Sequence, residues 1–138
     1  MNWLVPCNPE KYDIYSAVRK SPIIYWRQRV SFEIGDTLYI YLSRGVSEIR
    51  YKAVVTDINI DSRTINDEFW NDPKEVNKVS KKAEIKIVET IQSQALSFKE
   101  LKNYGLKSTI QGPMKLNGEL LDYIQIIEKA DSFWRKRK

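Results

Sequence analysis

The chain has no histidine among its 138 residues. That removes Ser-His-Asp and Cys-His catalysis, His-ligated zinc and the commonest general base. Acid–base chemistry would have to use Asp36, Glu48 or Asp57, and Asp36 directly follows Gly35, where turn geometry explains it without a reaction. Cys7 is the single cysteine; it can close no internal disulfide and makes a poor metal site. The five glycines are scattered, so there is no glycine-rich phosphate loop. The expectation is a non-enzymatic chain that uses neither metal nor cofactor and whose chemistry is recognition.

The charge balance says of what. Lys and Arg number 23 against 18 Asp and Glu, a net charge of +5, which suits a polyanionic partner. Arg27, Arg29, Arg50 and Lys52 fall on neighbouring predicted strands and are the candidates for a shared phosphate-binding patch. Arg19, Lys20, Arg44, Lys81 and Lys82 are further cations of the same kind. Each one taken singly is better explained as a solvated surface charge.

The elements that would position these groups follow from periodicity. Residues 3–6 read as a first strand ending at a proline. Asn8-Pro9 reads as a helix start, with Asn8 as N-cap, and Ser21-Pro22 ends that helix. Residues 22–43 then form the centre of the chain: a strand ending at Trp26, a Gly35-Asp36 turn, and a strictly alternating strand. In that strand Leu38, Ile40 and Leu42 point to one face and Tyr39, Tyr41 and Ser43 to the other. Residues 48–57 alternate as well and pair with it as a hairpin. Residues 58–82 read as an irregular insertion anchored by Phe69 and Trp70, with loop chemistry at Asn71-Asp72-Pro73 and a polar, basic run from Val76. Residues 83–91 are a strand, Ser97 to Glu100 a capping box, Gly105 a helix stop, and Asn117 the start of a last helix ending in a basic tail at 131–138.

The whole, residues 1–138, is expected to be one α+β domain, a curved sheet or small barrel decorated by short helices. No run is long enough to span a membrane, and the first residues lack the pattern of a signal peptide, so a cytoplasmic address is expected.

Several of these patterns occur together: Trp3, Asn8-Pro9 with Tyr12-Asp13, Ile24-Tyr25-Trp26, Gly35-Asp36-Thr37-Leu38-Tyr39-Ile40-Tyr41, Ile49 with Tyr51-Lys52, and Gln111-Gly112-Pro113. The combination resembles the EVE domains of the PUA-like superfamily, relatives of YTH domains. The resemblance implies a PUA-like β-barrel with a pocket for a flipped, modified nucleobase, most readily modified cytosine in DNA. It also implies that any nuclease or motor partner would be a separate protein. Where the family's strand often carries a histidine before its serine, this chain has Tyr41-Leu42-Ser43.

In such a pocket a planar ring stacks on the base and polar groups match its edge. Trp26 is the candidate stacking wall, with barrel core as the other explanation. Asn8, Ser43, Gln111 beside Gly112, and Tyr41 beside Tyr39 are the candidate polar lining. Helix capping, turn formation and plain surface exposure explain Asn8, Ser43 and Gln111 without a ligand. An RNA-binding PUA-like domain and a small enzyme acting on nucleic acid or nucleotides are the alternatives.

Overall fold

The computed structural model describes residues 1–65, 67–71 and 79–137, the last three by backbone alone. The strands are β1 (Asn2–Cys7), β2 (Ile23–Arg27), β3 (Thr37–Leu42), β4 (Glu48–Asp61), β5 (Lys81–Thr90) and β6 (Met114–Leu116). The helices are α1 (Ile14–Lys20), α2 (Phe98–Asn103) and α3 (Gly118–Arg137). All six strands belong to one sheet, ordered β2-β5-β4-β3-β1-β6. This is α+β as expected, but the sheet does not close into the expected barrel. Its outer strands are β2 and β6, and β6 pairs only with Asn2, Trp3 and Leu4 of β1.

The predicted hairpin of β3 and β4 is antiparallel, with Leu38 opposite Ala53 and Ile40 opposite Tyr51. β1 lies on the other side of β3 and runs parallel to it, Val5 opposite Ile40. Pro6 is tolerated there because β6 stops short of it, leaving that side of β1 without a partner strand. β3 is therefore an interior strand with both faces covered. Leu38, Ile40 and Leu42 join Val5, Ala53, Val55 and Ile85 in one core. Tyr39 and Tyr41, expected on a ligand-facing surface, are buried in a second core with Leu4, Ile91, Leu101 and Ile124. Alternation identifies two faces of a strand but not what covers each.

Other expectations are corrected locally. Asn8 does not cap α1. Its carbonyl accepts from Lys11 and Tyr12 at 3.0 and 3.1 Å and its Oδ1 from the Glu10 N–H at 2.9 Å, making a turn. The cap is Asp13, whose Oδ1 accepts from the Ser16 N–H at 3.2 Å. The delay has a cause: Asp13 donates its N–H to the Phe69 carbonyl and Lys11 accepts from Asn71, both at 2.8 Å, so the chain before α1 is held as a bridge to Trp70. The stretch assigned to an irregular insertion begins as strand, since β4 runs to Asp61. Asp72-Pro73 and residues 76–78 of the basic run lie outside the described residues. At α2 only the serine half of the capping box forms, Ser97 Oγ accepting from the Glu100 N–H at 3.3 Å; the Ser97 N–H goes to Gln94 instead. The backbone of 131–137, expected as a basic tail, continues α3, and Lys138 lies outside the described residues. Among the described residues no helix is long and apolar enough to cross a membrane.

Candidate functional site

β1 and β3 run parallel, so their carboxyl ends lie side by side, and the end of β2 meets them across a cavity of about 340 Å³. Its buried base is Val5 and Cys7, and its sides include Trp26, Trp70, Ile110 and Pro113. Asn8, Ser43, Gln111 and Gly112 supply polar groups, and Lys11, Arg27, Arg29 and Arg44 supply charge. Residues more than a hundred positions apart are thus brought together by the strand order.

The aromatic wall is built on Tyr12. Its ring meets Trp26 edge-on, 5.7 Å between centroids at 89°, and meets Trp70 at 4.8 Å and 55°. Tyr12 is itself buried, and burial and the Asp67 carboxylate push its hydroxyl up, keeping it neutral. Lys82 sits over the Trp70 ring, 5.3 Å from its centroid. Trp26 is only 9% exposed, so it is a core residue that also presents surface to the cavity. The two explanations of Trp26 are compatible.

The polar groups have defined remaining capacity. Ser43 donates both its N–H, at 2.9 Å, and its hydroxyl, at 3.3 Å, to the Cys7 carbonyl, leaving the hydroxyl oxygen to accept. Asn8 has its Oδ1 committed to Glu10, so its amide NH₂ is the group it can offer. Burial pushes the Cys7 thiol up to about 12, so it is no nucleophile at neutral pH.

Arg27 and Arg29 reach this site, and Arg50 and Lys52 do not. β5 lies between β2 and β4, which separates the two pairs. Arg50 is held by Glu48 at 2.6 Å, and Lys52 is paired with Glu128. Tyr41 also lies elsewhere, packed near Phe98 in the second core. Among the described residues, Lys11, Arg27, Arg29 and Arg44 take part in no ion pair, and no Asp or Glu lines the cavity. The candidate acids are likewise away from it: Asp36 is buried under Trp3, Glu48 is paired, and Asp57 accepts from the Ile58 N–H. No group of three or more His, Cys, Asp or Glu among the described residues is placed to share a metal ion. Sequence reasoning missed Trp70 and Lys11 as lining; Trp70 was legible only as an anchor, because what it anchors against is set by the bridge to Tyr12.

With this geometry, the chain is similar to several solved structures. A serine-to-alanine variant of the ASCH protein of Zymomonas mobilis superposes with a TM-score of 0.69 at 14% identity, over 91% of this chain and 95% of that one. The unsubstituted Zymomonas mobilis ASCH protein gives 0.67 at 15% identity, over 91% and 94%. This is an ASCH-type fold. A Pseudomonas putida protein gives 0.62 at 15% identity, over 92% and 99%. No family model matches the sequence and no curated protein matches it significantly. Both Zymomonas mobilis neighbours are ASCH proteins, and at these identities the likeness is one of fold; the expected EVE membership is not shown by it.

Proposed function

We propose that this chain is a nucleic-acid-binding module that takes one unstacked nucleobase into the Trp26 cavity and holds the flanking phosphates on Lys11, Arg27, Arg29 and Arg44, without turning the ligand over. One observation carries the reading: indole surface and four cations outside any described ion pair line the same cavity, with no carboxylate among its described lining residues. An aromatic cage for a cationic ligand would need the opposite charge. A volume of about 340 Å³ suits a single base with its sugar, at the lower end of ordinary ligand pockets. Stacking on the indoles tolerates any base, so specificity falls to Asn8, Ser43, Gln111 and the Gly112 backbone. The finer reading, from the EVE resemblance, is that the base is a modified cytosine in DNA.

Titration of labelled single-stranded and duplex oligonucleotides, DNA and RNA, carrying plain, methylated or hydroxymethylated cytosine tests both levels. Tightest binding to a modified-cytosine DNA supports the full reading. Equal affinity for all of them removes the modified-base part, tighter binding of RNA removes the DNA part, and no binding or chemical turnover of the strand removes the module itself. The cations have their own signature: changing Arg27 and Arg29 together to glutamine is expected to flatten the slope of log affinity against log salt by about 1.4, at about 0.7 per phosphate contact on a single strand. An unchanged slope means those arginines touch no phosphate.

A further inference from the structure

The turn that joins β3 to β4 borders the Trp26 cavity, with Ser43 and Arg44 among its lining residues. Its backbone is left-handed at three places, φ being 57° at Arg44, 93° at Gly45 and 54° at Ser47. Glycine adopts that region freely, whereas a side chain's Cβ crowds the following carbonyl oxygen there. Ser47 has a partner in the fold, its carbonyl accepting from the Phe98 N–H at 2.8 Å. Among the described residues the other left-handed side chain is Asn59. Asparagine tolerates the region, and Asn59 exchanges two hydrogen bonds with Gln28 at 3.0 and 3.1 Å. Arg44 has neither reason. It is exposed, and among the described residues its side chain takes part in no ion pair or hydrogen bond. Gly45 shows that this turn can use glycine, so nothing in the described fold rewards an arginine at 44. What the arginine does is line the cavity.

Both ends of the turn are held, Ser43 by its N–H and hydroxyl on the Cys7 carbonyl and Ser47 by Phe98 at the start of α2. A strained conformation persists only where its surroundings impose it, and such strain collects at ligand clamps. Resting on the nucleic-acid reading of this cavity, we propose that the turn is a preorganised phosphate clamp. It keeps Arg44 left-handed so that the guanidinium stands at the cavity, ready for a phosphate of the bound strand, at a cost in stability of the free protein. Of the four cations that line the cavity, Arg44 alone is left-handed. A planar guanidinium grips two phosphate oxygens at once, and a stem whose direction the backbone already fixes loses less freedom on binding.

Four variants of the whole chain separate backbone from charge. Arg44→Gly and Arg44→Asn remove the charge and relieve the crowding, Arg44→Ala removes the charge alone, and Arg44→Lys keeps both. In thermal unfolding the first two should melt about 2–4 °C above the original, and the alanine and lysine variants close to it. Titration of a labelled single-stranded oligonucleotide then reads the charge. The glycine, asparagine and alanine variants should all bind about tenfold more weakly. Each should also lower the slope of log affinity against log salt by about 0.7, one phosphate contact, while Arg44→Lys keeps the slope. An Arg44→Gly protein that melts at or below the original's temperature overturns the strain. One that melts higher but binds with unchanged affinity and slope overturns its purpose. Trp26→Ala in the same titration keeps these failures apart from failure of the cavity. If Trp26→Ala binds weakly while Arg44→Gly binds like the original, the cavity stands and the clamp falls; if neither variant alters binding, both fall.

Discussion

Trp26→Ala is expected to weaken oligonucleotide binding by about ten- to a hundredfold, the equivalent of about 1–3 kcal/mol of lost stacking. The same substitution removes a ring that packs edge-on against Tyr12 inside the first core. A stability loss of about 3–5 kcal/mol is therefore expected beside the binding loss. The two effects separate by experiment. Circular dichroism and urea unfolding give the folded fraction, and fluorescence anisotropy at a temperature where the variant stays folded gives the affinity. Trp26→Phe retains an aromatic face and most of the packing, so it should recover most of the binding. Trp70→Ala removes the other indole, which stands partly exposed on the Phe69–Asn71 segment, and should lower affinity at a smaller cost in stability. A folded Trp26→Ala protein that binds like the original would mean that the cavity is not the site.

The second large effect concerns Asp36, the residue that acid–base chemistry would have claimed. It is 3% exposed, and its carboxylate accepts from the Trp3 indole N–H at 2.9 Å, the Glu33 N–H at 3.0 Å and the Met1 ammonium at 3.1 Å. Its backbone is equally engaged, the carbonyl accepting from Val55 at 2.9 Å. Asp36 thus ties β1 to the turn that leads into β3, and the turn is possible because Gly35 adopts φ 96°. Asp36→Ala would strand the indole and amide donors in a buried position, at about 1–3 kcal/mol each, a large share of an ordinary domain's stability. Urea unfolding should show the midpoint falling accordingly, with no comparable change in oligonucleotide affinity of the folded protein. Burial alone would raise the Asp36 carboxyl. The bonds from Glu33 and Trp3 and the nearby ammonium outweigh it and hold the group below the usual carboxylate range. Its contribution is accordingly present above that range and lost as the pH falls through the lowered value. Stability of Asp36→Asn that fell with acid as steeply as the original's would refute this assignment.

Much of the chain was legible locally, and the reason is that its local signals agree with its fold. Alternation in residues 37–42 and 48–55 placed β3 and β4, Ser97 marked the start of α2, and Gly105, at φ 116°, its end. Side-chain type alone, with no histidine, a lone cysteine and excess cations, directed attention to rings, amides and arginines, and Asn8, Trp26, Ser43, Gln111 and Gly112 do meet in one cavity. What failed were the inferences that depended on which strand or helix lies beside which. Arg27 and Lys52 look adjacent if successive strands pair in order, but β5 inserts between β2 and β4 and leaves them on separate sites. Tyr39 and Tyr41 look like a ligand face until α2 and α3 cover them. Asn8 looks like a helix cap until the Tyr12–Trp70 bridge delays the helix. Most of the elements, the absence of histidine chemistry and the stock of recognition groups can be read from the residues in order, because periodicity, caps and composition are properties of short stretches. The open sheet, the partners of the charges and the second indole of the cavity come from the way the elements pack together. Those depend on strand order and on which surfaces meet, and no short stretch of chain carries that information.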